Sequence, residues 1–459
     1  MSHRKQHTSS ESSVQVSELA TADWQQLVQE RLPSTLESQA RALGAFVRVR
    51  RIQSASLLLR ALLCYVLSLS SLKDLSMWSR LVGVTSGVIS GQGWHKRLRQ
   101  SVGWLLWLFG ALLAAPPPSW SGPTSQRILL VDGTEVKCQG AKGALWRLHC
   151  AYNLLTGCLA WVQVTTRQVG ESLGLVPVQP GDILVGDGIY SRAPQLVAVD
   201  QQGGFSLTRF SPHHLPVYAA QAPSCSAASQ VDVSRWLRTL APGVYERNAL
   251  VHCEPTTLSV RVIAIVPTPE KAEARQSKKE HEARAKGRKL SEQARFLAGF
   301  ILLVTTLPLP QWPTSLVIEL YACRWHIEVL FKRIKQLLDL HTLRCETPET
   351  AQAVIAARLF AWLLIEEDLE GLRRQLADGE PFAVALSTWQ LAHLAWESLQ
   401  QVVKGWYSLH QLRQALPEFR RLFRERRQRP LLEHQRRHRF HSLLALDADL
   451  AALFDCSGA

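Results

Sequence analysis

The sequence predicts an α/β fold with a strand-containing core in the middle of the chain and helical regions on both sides. Two short apolar runs, within residues 128–134 and 182–190, are each interrupted by Asp-Gly and are typical of strands that are buried on both faces. Residues 321–335 include nothing that breaks a helix, so they predict one. Residues 35–115 and 350–459 also carry helical patterns. Strands in the middle and helices at the ends together indicate this class.

An aspartate beside glycine follows each apolar run. Asp132 stands in the sequence Val-Asp-Gly-Thr, and Asp187 stands in Gly-Asp-Gly. A carboxylate at the rim of a sheet can face a cleft while its strand stays buried, and ligands of open α/β sheets bind at the carboxyl ends of strands. Turn aspartates before glycine are also common, so each motif alone leaves both interpretations open. A further acid, Asp182, follows Pro-Gly and is interpreted as a loop residue.

The helix predicted at residues 321–335 carries one carboxylate among cations. At about 100° of rotation per residue, five side chains share a stripe about 80° wide. These are Tyr321, Arg324, Glu328, Lys332 and Lys335. A salt-bridged surface face would have the same pattern, but the two upstream aspartates favour another interpretation. Three carboxylates from two strands and a helix suit Mg²⁺ or Mn²⁺, and two such ions can activate a nucleophile for attack on a phosphodiester. The cations of the stripe would then hold substrate phosphates.

At these residues the chain resembles the DDE transposases of bacterial insertion sequences, in particular the family named for insertion sequence four. The signature of that family is a tyrosine, two residues, an arginine, three residues, a glutamate, six residues and a lysine. Residues 321–335 match it without a gap. The segments around Asp132 and Asp187 resemble the two aspartate blocks of the family, and Arg209 stands where relatives have a strand that ends in arginine. The resemblance covers roughly residues 55–365.

The resemblance implies a ribonuclease-H-like catalytic core that is interrupted by a β-rich insertion. The predicted organisation is a loose tail over residues 1–20, a helical DNA-end-binding domain over 21–118, the core over 119–211 and 301–365, the insertion over 212–300, and a helical C-terminal region with a basic segment over 366–459. In the insertion, residues 250–266 are β-like, with apolar residues that alternate against Arg261. The charge run at 271–289 predicts a solvated helix or loop, or alternatively a DNA-contacting arm.

The resemblance also implies the roles of individual residues. Asp132, Asp187 and Glu328 would be the catalytic triad and would bind two ions of Mg²⁺ or Mn²⁺. The residues that would contact DNA are Tyr321, Arg324, Lys332, Lys335 and Arg209. A helix-turn-helix over residues 72–99 would grip the DNA end through Lys96, Arg97 and Arg99, although an ordinary bundle with a solvated basic face remains the alternative. Trp325 is interpreted as a core residue rather than a platform for base stacking.

Composition restricts the partner and the compartment. The net charge of +14 indicates a polyanionic partner, but charge alone does not choose between nucleic acid and an anionic membrane. The nine cysteines lack metal-finger spacing and predict free thiols in a reducing cytosol. The resemblance implies that this is the cytoplasm of a bacterium, with the protein in association with the nucleoid. The most apolar stretch, residues 104–115, is shorter than the about 20 residues that a membrane-spanning helix needs, so it predicts a buried helix.

The predicted function is therefore metal-dependent cleavage at the ends of an insertion sequence, followed by transfer of the freed 3′-hydroxyl into target DNA. Double-stranded DNA is the expected partner, and two paired ends make a homodimer the expected assembly. Two alternatives remain, a nuclease of the same fold that does not join strands and a DNA-binding derivative without catalysis. A membrane-surface protein is disfavoured because it leaves the three carboxylates unexplained.

Overall fold

The computed structural model describes residues 23–114, 127–137, 143–222, 224–340, 343, 345, 347–377 and 388–405. The predicted tail at residues 1–20 and the basic segment of the C-terminal region lie outside them. The described chain forms two compact units. One holds residues 23–29, 46–97 and 401–405, and the other holds residues 30–45 and the described residues from 98 to 400.

Helices make up the described chain before the first strand. Their bounds are 23–31 (α1), Leu36–Ala42 (α2), Ala55–Ser68 (α3), Leu72–Leu81 (α4), Gly91–Gln100 (α5) and Val102–Leu113 (α6). The side chains of Ser54 and Ser71 cap α3 and α4 by accepting hydrogen bonds from backbone N–H groups three residues on. Gly83 follows α4 with a φ of 76°, in the left-handed region that glycine adopts without strain. The helices predicted at residues 72–81 and up to residue 99, with a turn near Gly83, are thus confirmed.

Three hydrogen bonds join α3 and α4 to the chain at the end of the last described helix. The Arg60 guanidinium donates hydrogen bonds to the carbonyls of Val403 and Val402 at 2.9 Å and 3.3 Å. Trp78 Nε1 donates to the Lys404 carbonyl at 2.8 Å. Arg60 is only 2% exposed, so this arginine stabilises the helical unit instead of adding to its basic surface.

The second unit is built on one mixed sheet. Its strands are Ile128–Lys137 (β1), Ala144–Asn153 (β2), Cys158–Thr166 (β3), Ile183–Gly186 (β4), Phe205–Arg209 (β5), Tyr218–Ala219 (β6), Gly243–Cys253 (β7), Thr256–Val266 (β8) and Ile301–Thr305 (β9). Their order in the sheet is β3-β2-β1-β4-β5-β9-β8-β7-β6. Strands β1, β4 and β5 are parallel, and the other pairs are antiparallel. The sheet and the helices around it confirm the predicted α/β class.

Strand β1 carries Asp132 within its length. The apolar pattern predicts a strand that stops at this residue, and that prediction is wrong. The parallel pairing with β4 ends at Leu130, opposite Val185, but β1 continues to Lys137 because antiparallel pairing with β2 satisfies its backbone groups. Asp187, in contrast, directly follows β4 as predicted. Both aspartates therefore stand two residues beyond the last parallel pair, where the two strands diverge.

The predicted insertion extends the same sheet. Strands β6 to β8 lie between β5 and β9 in sequence and continue the sheet beyond β9. The prediction of strands at residues 250–266 is confirmed. The charge run at residues 271–289 lies largely in a helix, which confirms the helix among the alternatives predicted for it. The insertion contains the helices Val233–Arg238 (α8), Pro269–Ala285 (α9) and Glu292–Ala298 (α10), and α9 buries none of its residues. A further helix, Ala193–Gln201 (α7), connects β4 to β5.

The chain after β9 is helical. The described helices are Thr314–Ala322 (α11), Trp325–Leu337 (α12), Pro348–Ala377 (α13) and Thr388–Lys404 (α14). The prediction of a single helix over residues 321–335 is wrong, because α11 ends at Ala322 and a separate helix, α12, begins at Trp325. There the N–H groups of Arg324 and His326 donate to carbonyls three residues back, at 3.1 Å and 3.0 Å, instead of four.

Packing accounts for the two most apolar helices. Helix α6 packs against α13, and it buries Trp104, Leu105 and Leu108, which confirms the buried helix predicted at residues 104–115. The stretch Pro348–Glu366 of α13 is long and apolar enough to cross a membrane, but 72% of it is buried inside the protein. That burial is the pattern of a core helix. The cysteines of the described chain are free thiols, as predicted.

Candidate active site

Asp132, within β1, and Asp187, directly after β4, stand at equivalent positions, each two residues beyond the last pair of these neighbouring strands. Asp132 is half-buried and accepts a hydrogen bond from the N–H of Gly133 at 2.8 Å. Asp187 accepts one from the N–H of Ile189 at 2.8 Å, which shapes the turn after β4. Gly186 allows this turn, because a Cβ there would lie 2.8 Å from the ring of Tyr190. The glycines beside the aspartates therefore make room for close packing.

The surroundings of Asp132 are unusually negative. Burial raises the pKa of Asp132 to about 7, and repulsion from Asp187 and Glu171 raises it as well. The hydrogen bond from Gly133 and the charge of Arg324 oppose this effect without cancelling it. Carboxylates that repel each other in a half-buried site favour a cation between them, and an all-oxygen donor set suits Mg²⁺ or Mn²⁺. The two aspartates thus fit the predicted ions.

Glu328 lies in the first turn of α12, which packs against β1. The apolar face of the helix is buried and consists of Ile327, Leu330, Phe331, Ile334 and Leu338. Arg324 Nη2 donates a hydrogen bond to the Glu328 carboxylate at 2.6 Å. Within the described part of the chain, no three acidic, histidine or cysteine side chains are arranged to hold a metal ion. Glu328 would have to leave Arg324, at least in part, to share an ion with the aspartates.

A cleft of about 1580 Å³ opens beside Asp187. Arg209, at the end of β5, lines it together with Tyr321 and Arg324 from the signature. Burial raises the pKa of the Tyr321 hydroxyl, and the nearby charges of Arg324 and Arg209 lower it. Around Asp187 the cleft therefore presents the guanidinium groups of Arg209 and Arg324 and the phenol of Tyr321, which is suitable for an anionic substrate.

The insertion also lines this cleft with cations. Arg275, Lys278 and Lys279 of α9 contribute to it, as does Arg192 at the start of α7. Glu282 is the acid that α9 adds, and its carboxylate lies 3.3 Å from the ammonium group of Lys279. In the cleft, the three cations of α9 outnumber its one acid. The positively charged surface that suits an anion therefore continues from Asp187 onto the insertion.

Lys332 and Lys335, two further predicted DNA contacts, do not line the cleft. Lys332 is exposed, and its ammonium group stands 5.8 Å from the ring centroid of Trp325. Lys335, one turn further along α12, is half-buried. Trp325 itself is 59% exposed, so its interpretation as a core residue is wrong. A tryptophan beside a catalytic helix is more often buried, but this ring lies on the surface.

The predicted contacts on α5 divide between the two units. Lys96 and Arg97 belong to the helical unit, and Arg99 belongs to the unit with the sheet. Lys96 and Arg99 are exposed. The Arg97 guanidinium donates to the carbonyl of Gly93 at 3.0 Å and stands 5.9 Å from the ring centroid of Trp94.

Glu171 is a site residue that no sequence pattern singled out. It lies in the loop after β3, and a Cβ on Gly133 would approach its Cγ and Oε1 to 2.8 Å. The only local signal is one acid among polar loop residues, which is typical of any solvated loop. Only the folded chain brings this carboxylate to Asp132.

Comparison with known proteins agrees with this geometry. A family model described as a transposase DDE domain matches residues 123–364, a range that includes both aspartates and the whole signature. The chain belongs to the DDE transposase family. The resemblance to the insertion-sequence-four transposases is confirmed by relatives that cover most of the chain.

Two of these relatives come from Escherichia coli. The putative transposase InsL for insertion sequence element IS186A is 30% identical over 345 residues, which are 74% of this chain and 91% of the relative. The transposase for IS421 is 30% identical over 346 residues, with the same coverage. The transposase for IS231E, from Bacillus thuringiensis subsp. finitimus, is 26% identical over 385 residues, which are 76% of this chain and 80% of the relative. The similarity thus extends well beyond the signature.

Proposed function

We propose that this chain is the transposase of an insertion sequence, which cleaves DNA at the ends of its element and transfers the strands into target DNA by a cut-and-paste route. The observation that carries the proposal is the placement of Asp132 and Asp187 at equivalent positions, each two residues beyond the last pair of two parallel strands, beside a cation-lined cleft. The strand order β3-β2-β1-β4-β5, with only β1, β4 and β5 parallel, supports a ribonuclease-H-like core. The strands from β6 to β8 are then an insertion that extends this core.

Asp132, Asp187 and Glu328 are the residues proposed to hold two ions of Mg²⁺ or Mn²⁺. When bound, such ions supply Lewis-acid activation of the nucleophile and stabilise charge on the leaving oxygen. The ion pair between Arg324 and Glu328 supports a further role for this arginine, because release of Glu328 frees a guanidinium for a DNA phosphate. The Tyr321 hydroxyl, whose pKa is raised by burial, stays protonated and can donate to a phosphate oxygen.

DNA is the proposed partner of the cleft and of the basic surface beyond it. Arg209 would hold the phosphate next to the site of cleavage, and the cations of α9 would hold the backbone further along. Lys332 and Lys335 on α12, and Lys96, Arg97 and Arg99 on α5, would contact other parts of the DNA end. Pairing of two ends would require a homodimer, and the substrate implies the bacterial cytoplasm.

Substitution of the acids tests this function. Glu328→Gln, Asp132→Asn and Asp187→Asn should each reduce Mg²⁺-dependent cleavage of an end-bearing DNA to the level without enzyme. Binding of the same DNA in a gel-shift assay should persist, because each change removes a negative charge and no phosphate contact. The matched control is Asp182→Asn, which removes an acid of the same sheet that pairs with Arg127. Full cleavage by any of the three site variants would remove that residue from the site.

A second assay separates a transposase from a nuclease. DNA whose 3′-hydroxyl has already been freed at the element end should be joined to a target plasmid by the wild-type protein in Mg²⁺. Cleavage without joining would instead assign the chain to the nucleases. End binding without cleavage would indicate a DNA-binding derivative.

A further inference from the structure

Arg261 fixes the connection between β9 and α11. It lies on β8, is 6% exposed, and donates hydrogen bonds to the carbonyls of Leu307 and Trp312 at 3.0 Å and 2.8 Å. These two residues stand near the two ends of the connection that leads from β9 into α11. The Trp312 N–H in turn donates to the Pro308 carbonyl at 2.9 Å. The connection is therefore held at both ends and within itself.

Glu246 continues this network to the first residue of α11. Both oxygens of its carboxylate accept from the Arg261 guanidinium, at 2.7 Å and 2.9 Å, and the Thr314 hydroxyl also donates to Glu246. The hydrogen bond from Arg261 is the main cause that lowers the pKa of the Glu246 carboxyl, so this group is ionised. Pro313, which precedes the helix, forms no side-chain capping bond. A carboxylate from β7 thus stabilises the positive end of α11 in place of a local cap.

Helix α11 depends on an anchor of this kind for its orientation. It has nine residues, and a helix of this length is marginal in water by itself. Near its end lies Tyr321, which lines the cleft together with Arg324 and with Arg209 of β5. At about 1.5 Å per residue, Tyr321 stands roughly 10 Å along the helix from Thr314. The direction in which α11 leaves Thr314 therefore decides where Tyr321 lies in the cleft.

Stability alone does not account for this network. A buried ion pair contributes little net stability, because the desolvation of both charges offsets their attraction. Apolar residues of similar volume would hold β7 and β8 together as well. What they would not supply is the set of directed bonds to Leu307, Trp312 and Thr314. These bonds define one position for the start of α11.

We propose that Glu246 and Arg261 are positioning residues for DNA cleavage, which hold α11 so that Tyr321 meets a phosphate of the substrate in the cleft. This inference rests on the proposed function of the same site. Neither Glu246 nor Arg261 lines the cleft, so the two strands of the insertion act on the reaction through the helix. A displacement of Tyr321 by about 1 Å is sufficient to slow the reaction, because phosphoryl transfer depends on alignment.

Replacement of the whole ion pair separates positioning from stability. Glu246→Leu with Arg261→Met leaves no uncompensated charge, so this protein should retain cooperative unfolding. Its rate of Mg²⁺-dependent cleavage at saturating DNA should nevertheless be lower than that of the wild type by roughly tenfold or more. Hydrogen exchange, measured by mass spectrometry without DNA, should be faster in residues 306–322. The matched control is Asp182→Leu with Arg127→Met, which replaces another ion pair of the same unit and should preserve both quantities.

A double-mutant cycle with Tyr321→Phe shows whether the effect passes through this tyrosine. Tyr321→Phe removes the hydroxyl and should itself slow cleavage. In that background the ion-pair replacement should slow cleavage by less than about twofold more, because no hydroxyl remains to be positioned. An equal further loss in both backgrounds, wild-type cleavage by either variant, or unchanged hydrogen exchange in residues 306–322 would overturn the positioning role.

These outcomes are distinct from failure of the proposed function. If the wild type binds end-bearing DNA in Mg²⁺ and cuts none of it, the proposed function fails, and the same cycle is then evaluated on DNA affinity by the same criteria. Should Glu246→Leu with Arg261→Met lose cooperative unfolding, Arg261→Lys replaces it in every comparison. That variant keeps a positive charge beside Glu246 but lacks the planar fork that reaches both carbonyls.

Discussion

His149 shows how burial decides the charge of a single residue in this sheet. It lies on β2 opposite Gly133, is 2% exposed, and its Nε2 is 2.9 Å from the hydroxyl of Thr165. Burial lowers the pKa of His149 to about 4, and the charge of Arg147 lowers it as well. The imidazole is therefore neutral at physiological pH, although the sequence shows only a histidine beside an arginine.

The neutral state of His149 predicts a pH-dependent stability. Because the pKa is lower in the folded chain than the ordinary value of 6.5, the unfolded chain takes up a proton that the folded chain does not. Stability should therefore fall as pH drops from about 7.5 to about 5, and His149→Gln should remove roughly 2 kcal/mol of that fall. Urea unfolding of both proteins at the two pH values measures the difference. A wild-type dependence retained in full by His149→Gln would mean that the imidazole is not the group responsible.

At the level of secondary-structure elements, the ion pair between Arg261 and Glu246 connects the strands of the insertion to the start of α11. Arg261 of β8 donates to both carboxylate oxygens of Glu246 on β7, at 2.7 Å and 2.9 Å. The same guanidinium donates to the carbonyls of Leu307 and Trp312, at 3.0 Å and 2.8 Å. The hydroxyl of Thr314, the first residue of α11, donates to Glu246. The start of α11, and with it the approach to Tyr321 and Arg324, is thereby fixed to the strands of the insertion.

Loss of one partner of this pair should be costly. Glu246→Ala leaves the Arg261 guanidinium buried without its carboxylate, and it should lower the free energy of unfolding by about 3 kcal/mol. The double variant Glu246→Leu with Arg261→Met should recover much of that loss, because no uncompensated charge remains. The exposed pair of Lys279 and Glu282 is the control, and Glu282→Ala should cost less than about 1 kcal/mol. Denaturant unfolding measures all three, and an equal cost for the two single variants would contradict the structural role of Glu246.

On the scale of the whole molecule, part of the positive charge of the chain lines the cleft. The sequence left α9 as either a solvated helix or a DNA-contacting arm. The structure makes it an exposed helix, one part of which lines the cleft that also contains Asp187. Because cations of α9 line the cleft that is proposed to bind DNA, the structure favours the interpretation of α9 as a DNA-contacting arm. The rest of this exposed helix is solvated.

The DNA-contacting interpretation of α9 is tested by removing equal charge from two parts of the helix region. Lys278→Ala with Lys279→Ala should weaken DNA binding and reduce the slope of log affinity against log salt by about 2, since each phosphate contact in duplex DNA contributes about 0.9. Lys271→Ala with Lys286→Ala removes the same charge outside the cleft lining and should change both quantities less. Equal effects of the two pairs would assign the contribution of α9 to net charge alone.

Local sequence was sufficient for most elements and for the family. Apolar runs identified β1 and β4, the cap at Ser71 and the turn at Gly83 agree with the helices predicted at residues 72–99, and the spacing from Tyr321 to Lys335 identified the transposases. These features depend on residues within one element, so their physical causes, namely burial of an apolar face and hydrogen bonds at helix ends, are visible in the sequence.

Contacts between distant parts of the chain required the tertiary structure. The proximity of Glu171 to Asp132, the burial of Arg261 against Glu246 and the continuation of β1 past Asp132 all depend on strand register and on which loop packs where. Local polarity predicts an exposed acid or arginine, because a charge is buried only when a partner from elsewhere compensates its desolvation. The three predicted acids thus follow from local pattern, whereas the carboxylate that accompanies them follows from the packing of a loop onto a glycine.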